Sequence, residues 1–298
     1  MRIFLILIFV FSLNFLLSQN KEDSLIFLSS EDSIFDENIQ LTNHLMRINE
    51  PELAVYQLKK MELDCENPLL CDSVNYILAK TYFSIQDFEN SLHYFQKSTP
   101  DKSSWRESKY YSALSLNYLN RPDEAFMLLE NYSENDINFK QLYYLNCAGT
   151  SLLQYKLSEA KTYIELFSND WYPVAEQQEN IMMIYNEMSK FKKKSPFVAA
   201  SLSTLVPGLG KVYAGRMGEG ISAFLINAGL GLVTYENFRK DGLLDIKTMF
   251  FGALFTTFYV GNIWGSALSV KLIKDEFIDE SNEQILFNLR VPLRLIYE

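Results

Sequence analysis

Asp72-Ser-Val-Asn-Tyr-Ile-Leu-Ala-Lys-Thr-Tyr-Phe-Ser-Ile-Gln-Asp-Phe-Glu-Asn-Ser-Leu-His-Tyr-Phe-Gln-Lys-Ser98 decides the fold class. Two apolar segments flank a polar break at Gln86-Asp87. The first carries Leu78-Ala79 with Tyr82 three positions on, and the second carries Ser91, Phe95 and Ser98. Small residues among aromatics at helical spacing predict two helices that approach closely, with the rings filling the gap beside the contact.

This stretch resembles a tetratricopeptide repeat, a helical hairpin with a period of about 34 residues. One period beyond Ala79, Ser91 and Phe95 stand Ala113, Ala125 and Leu129. A second period from Ala113 reaches Cys147, followed by Ala148 and Gly149, and Ala125 reaches the neighbourhood of Ala160. Towards the N-terminus, Ala54 and Leu58 fit the same small and large positions, with extra residues in the 64–70 connection. No repeat carries the Trp or the Gly usual in the first helix of the family. The expectation is an all-α chain: a tetratricopeptide-like solenoid over 37–191, in which Ile181–Phe191 supplies a capping helix. The other reading of the spacing is an irregular helical bundle.

An array of this kind binds along a concave face. Asn75, Tyr82, Lys109 and Tyr143 are the candidate groove residues for a protein or peptide partner. Against this, any single Tyr of the Tyr76, Tyr82, Tyr94, Tyr110, Tyr111, Tyr118, Tyr143 and Tyr144 set is more often inter-helix packing. Cys65 and Cys71 flank a turn and form a candidate disulfide in an oxidising compartment, or else two unpaired helix-end thiols. Cys147 stands at a small, buried position and is expected to be inert.

The bulk properties narrow the function classes. The 298 residues are 48% hydrophobic, which excludes wholesale disorder. A net charge of −10 argues against nucleic-acid binding, which needs a basic stripe. With 3 Cys and 2 His there is no metal-ligand spacing, and no nucleophile–base set stands out, so neither an enzyme nor a cofactor is expected.

Met1-Arg2 precedes an apolar run from Ile3 to Leu17 and then Ser18-Gln19. This is the plan of a signal peptide over 1–18, cut after Ser18, with an uncleaved anchor as the alternative. Either outcome places the following residues outside the cytoplasm.

Composition changes after Lys192-Lys193-Lys194. Gly218–Tyr235 is almost free of charge, and Thr248–Val270 has no charged residue over 23 positions. Two spans within a membrane domain over 195–274 are expected, followed by a C-terminal tail over 275–298. Gly261 and Gly265 form a small-xxx-small pair, and Ala223, Asn227 and Gly231 a second row, which together predict close packing in a helical hairpin. Glu219 and Asn227 are the polar groups at membrane level. The tail's alternation, Leu289-Arg-Val-Pro-Leu-Arg-Leu-Ile, suggests a short strand or an interfacial segment.

Pro207-Gly208-Leu209-Gly210-Lys211-Val212-Tyr213-Ala214-Gly215 fails as a phosphate loop, because Val212 stands where Ser or Thr is required. It resembles the signature of a small two-span membrane domain found at the C-terminus of exported, repeat-bearing proteins of Bacteroidota-like bacteria, with Lys211 in place of the usual Gln. The residues that carry the likeness are Pro207, Gly208, Gly210, Tyr213 and Gly215. That family has no established activity, so the resemblance implies architecture and an inner-membrane location only. The function expected from the whole sequence is a non-catalytic, membrane-anchored extracytoplasmic scaffold. The alternative is an accessory component of envelope transport or membrane-protein assembly that acts through the hairpin.

Overall fold

The computed structural model describes residues 35–97, 104–130, 136–168 and 170–297. The expected signal segment lies outside them. Within them the chain is helical, with no strand. The helices are α1 (35–47), α2 (Pro51–Asp64), α3 (Pro68–Ser84), α4 (Phe88–Lys97), α5 (Ser104–Tyr118), α6 (Pro122–Glu130), α7 (Ile137–Leu153), α8 (Leu157–Ile164) and α9 (Tyr172–Lys190). After them come α10 (Pro196–Leu205), α11 (Leu209–Ala214), α12 (Met217–Asp241) and α13 (Ile246–Tyr297).

Local sequence explains several boundaries. Pro51, Pro68 and Pro196 open their helices, where a missing N–H costs nothing. The Asn67 side chain accepts from the Leu69 amide, and that of Asp136 from Asn138 and Phe139, capping α3 and α7.

The chain forms two compact units, one up to Ala175 with Leu289 onward, the other from Glu176 to Asn288. In the first, consecutive helices from α2 to α8 pack on one another, and α3 also meets α5 and α5 meets α7. One turn recurs inside each hairpin. Asn49, Gln86, Asn120 and Tyr155 all take positive φ, between 57° and 64°. Before each, the amide of that residue bonds the carbonyl three back, and the next amide bonds the carbonyl five back: Gln86 to Phe83 (3.1 Å) and Asp87 to Tyr82 (3.0 Å), for example. This is the Schellman end, repeated four times without a glycine.

The small residues identified from the sequence sit at the helix contacts. Ala54, Ala79, Ser91, Ala113, Ala125, Cys147, Ala148 and Ala160 are all fully buried. Ser91 Oγ donates to the Ala79 carbonyl at 3.0 Å, tying α4 to α3 at the closest approach.

In the second unit α9 pairs with α13. Phe191 stacks on Phe277 with ring centroids 4.1 Å apart, and Asn180 Nδ2 donates to Asn288 Oδ1 at 2.9 Å. The helix expected to cap the array at Ile181–Phe191 therefore has α13 as its partner in this unit. The tail over 275–298, whose alternation from Leu289 suggested a short strand or an interfacial segment, is helical, because α13 runs through it to Tyr297 with Pro292 inside. Ile285, Leu289 and Leu293, four residues apart and fully buried, form a helical stripe that outweighs the short alternation.

By length and composition α12 is the one helix among the described residues able to cross a membrane. Thr248–Val270 lies within α13, where Thr256, Thr257, Asn262, Ser266 and Ser269 reduce its apolarity.

Candidate functional site: a helix-filled face and a polar cavity

The first site lies on the first unit. Tyr76, Lys80 and Phe83 share one face of α3 by their spacing. Lys80 pairs with Glu107 of α5 at 3.1 Å, and the half-buried Tyr76 bonds the same carboxylate through its hydroxyl. Burial first, then Glu107, pushes the Tyr76 phenol far above its ordinary range.

The last turns of α13 lie against this face. Leu289 fits over Gly149 of α7, where an added Cβ would come within 2.7 Å of Leu289 Cδ2. The Arg290 guanidinium lies over the Phe83 ring at 5.6 Å, and the Tyr297 ring is 6.5 Å from that of Phe139. Leu289 and Leu293 are 0% exposed. An aromatic and apolar face built by α3 and α7 thus meets the last turns of α13, with Leu289 over Gly149 and Arg290 over Phe83.

The four groove residues expected from sequence do not gather here. Tyr82 stacks on Tyr94 of α4 at 5.6 Å and is buried between the two helices. Tyr143 lies 6.3 Å from Tyr163 of α8 and hydrogen-bonds Cys147. Lys109 sits over Trp105 one turn back on α5, at 5.4 Å, and burial lowers its pKa. Asn75 of α3 has a buried Oδ1 with no hydrogen-bond partner. The face that holds a helix is instead marked by Phe83, Phe139 and Gly149. The i, i+4, i+7 run of Tyr76, Lys80 and Phe83 was the available signal, masked by the abundance of other tyrosines.

Cys65 and Cys71 are disulfide-bonded, with Cα atoms 5.6 Å apart. Cys147 is a buried free thiol whose pKa burial pushes up to about 12.

In the second unit the Pro207–Gly215 segment forms an interlocked corner. Gly208 takes φ +87°, and a Cβ there would fall 2.0 Å from the Gly220 carbonyl oxygen. A Cβ on Gly210 would fall 1.9 Å from the Ala199 carbonyl oxygen. The glycines let α10, α11 and α12 touch backbone to backbone. Ser203 Oγ accepts from the Gly210 amide at 2.9 Å and bonds Ser266 Oγ at 2.7 Å. Tyr213 Oη accepts from the Ser195 amide at 3.3 Å, Lys194 Nζ donates to the Ala214 carbonyl at 3.0 Å, and Gly215 closes α11 at φ +116°. Pro207 follows the end of α10 at Leu205, as expected of a helix break. Glu219, at the first turn of α12, pairs with Lys211 (3.4 Å) and Arg216 (3.1 Å) and so is a satisfied helix-start carboxylate.

The expected close packing of small residues between the two long helices is met at Gly231, where a Cβ would come 3.4 Å from Phe255 of α13, but not at Gly261 and Gly265. A Cβ on Gly261 would meet nothing within 4 Å, and one on Gly265 meets only the Lys211 side chain. Ala223, Asn227, Gly261 and Asn262 instead line a cavity of about 700 Å³. Small residues remove bulk, and a close contact follows only where the opposite helix advances into the space.

Among the described residues no group of His, Cys, Asp and Glu could hold a metal ion. No protein-family model, curated protein or solved structure matches the chain, so the geometry of these two sites alone carries the functional argument.

Proposed function

We propose that the chain is a membrane-anchored, extracytoplasmic adaptor whose tetratricopeptide-like array binds a short amphipathic helix of another protein. The observation that carries this reading is the last turns of α13 against α3 and α7, with Leu289 over Gly149 and Arg290 over Phe83, since a face that accommodates one such helix suits another. The fourfold turn and the packing of each helix on its sequence neighbours support a repeat array. The Cys65–Cys71 bond supports an oxidising compartment, and α12 supports attachment to the inner membrane, with Thr248–Val270 as a companion crossing. The second reading, an accessory in envelope transport or membrane-protein assembly, draws on the buried polar groups of α12 and α13.

The test uses a labelled peptide of residues 283–298 and the full chain carrying Leu289→Asp, which expels the resident helix. The variant is expected to bind the peptide at least about tenfold more tightly than the wild type, a difference of about 1.4 kcal/mol. Circular dichroism reports whether the array stays helical. A helical variant that leaves the peptide unbound would overturn the reading of this face as a helix-binding site.

A further inference from the structure

Residues 191–195, between α9 and α10, are not helical and yet are held at three points. Phe191 stacks on Phe277 of α13 with ring centroids 4.1 Å apart. Lys194 Nζ donates to the Ala214 carbonyl at 3.0 Å, and the Ser195 amide donates to Tyr213 Oη at 3.3 Å. Beside this segment lies a cavity of about 300 Å³ lined by five lysines, Lys190, Lys192, Lys193, Lys194 and Lys274. The rest of its wall is apolar, and no carboxylate lines it. Lys194 is committed to Ala214, whereas Lys190, Lys192, Lys193 and Lys274 are exposed and have no ion pair among the described residues. Glu187, Asp275 and Glu276 are nearby in sequence, but none reaches the lining, and Glu276 is taken by Arg216 at 2.7 Å. In a chain of net charge −10 this is a marked local excess of positive charge.

The surroundings define the chemical class of ligand. The cavity lies where the two long helices change from polar to apolar. Val270, in its wall, ends the uncharged run of α13, and Lys271 and Lys274 follow. The Arg216–Glu276 bond brings the start of α12 to the same level of α13. On α10, which begins just after the lysine run, Phe197 and Leu205 are each 79% exposed. A ligand with an anionic head and an apolar tail uses both features, its head on the lysines and its tail along α10. An acidic peptide or a nucleic acid would engage the lysines and leave the apolar face open. Lysine holds phosphate as a point charge, and basic pockets between helices at membrane level suit anionic headgroups.

We infer that this lysine-lined cavity binds the phosphate of an anionic phospholipid of the phosphatidylglycerol class, with an acyl chain along the exposed face of α10. The inference rests on the reading that α12 lies in a bilayer.

The test is native mass spectrometry of the full chain in a neutral detergent, titrated with dioleoylphosphatidylglycerol or dioleoylphosphatidylcholine. The anionic lipid is expected to bind at least about tenfold more tightly. The triple variant Lys192→Gln/Lys193→Gln/Lys274→Gln should lose that preference with its melting temperature unchanged, since all three side chains are exposed. The corresponding arginine triple should keep it. A control of equal charge change on the first unit, Lys60→Gln/Lys156→Gln/Lys161→Gln, should also keep it. Equal binding of the two lipids by the wild type would overturn the site, as would equal loss in the two glutamine triples, which would mark a bulk charge effect. Displacement of the lipid by inorganic phosphate at matched concentration would overturn it too, by revealing a free-anion site. Alkaline extraction of native membranes tests the bilayer reading separately: release of the chain defeats that reading, whereas retention without a preference for the anionic lipid defeats the headgroup site alone.

Discussion

The hairpins of the first unit and the α12–α13 pair use the same sequence device and reach opposite results. Both carry small residues at regular helical spacing. In the hairpins, Ala79 and Ser91 let two backbones approach until a serine hydroxyl reaches the facing carbonyl. Between α12 and α13, Gly231 packs against Phe255, but Gly261 meets nothing, and the stripe there lines a cavity together with Asn227 and Asn262. A small side chain permits contact. Whether contact occurs depends on what else holds the helices. A short turn joins the helices in both cases, but α12 and α13 are each also held by other helices, α12 at the Gly208–Gly220 corner and α13 by the Ser203–Ser266 hydrogen bond.

Substitutions can break this contrast or sharpen it. The largest effect is expected for Ala125→Leu, which forces bulk into a fully buried helix contact and should cost about 3 kcal/mol in chemical denaturation. Little change there would mean that the repeat contacts are as loose as the α12–α13 pair. Cys71→Ser opens the short loop beside α3 and should cost about 2 kcal/mol, matched by reducing the wild type. Gly261→Ala adds a methyl to open space in a helix and should stabilise by about 0.5–1 kcal/mol, opposite in sign to Ala125→Leu. A loss instead would show that the α12–α13 gap closes.

The smallest effect concerns Cys147. Its folded pKa, raised to about 12 by burial, stands above the ordinary thiol value of 9.0. Its contribution is complete below about pH 9 and declines as pH rises towards about 12, because the unfolded chain releases the proton first. Cys147→Ala should therefore lose less melting temperature than the wild type between neutral and strongly alkaline pH. Alkylation of the native wild type at neutral pH should be negligible.

Particular residues show where sequence sufficed. The Leu78-Ala79 and Ser91-Phe95 pattern located the helix contacts because the burial of small residues in a hairpin is a local matter, repeated at a near-constant period. Cys65 and Cys71 were legible for the same reason, since only a turn separates them. The glycines of Pro207–Gly215 were visible as a motif, although their reason, carbonyl oxygens of Ala199 and Gly220 at van der Waals limits, lies in other helices.

The face over α3 and α7 was not legible. Tyr82 and Tyr143 looked as available as the ring residues of that face, and only packing separates a ring that packs on its hairpin partner from one, such as Phe83, beside a distant helix. The tail misled for a related reason: Leu289-Arg-Val-Pro-Leu alternates over five residues, but the stripe of Ile285, Leu289 and Leu293 governs once a surface exists to bury it. Sequence by itself determined the helical class, the hairpin period, the small-residue contacts and the apolar stretch of α12. Tertiary structure alone decided what meets the face over α3 and α7, whether a small-residue stripe closes or opens, and which buried amides go unpaired. Periodicity records which side of a helix avoids water, and only the assembled chain determines what it meets there.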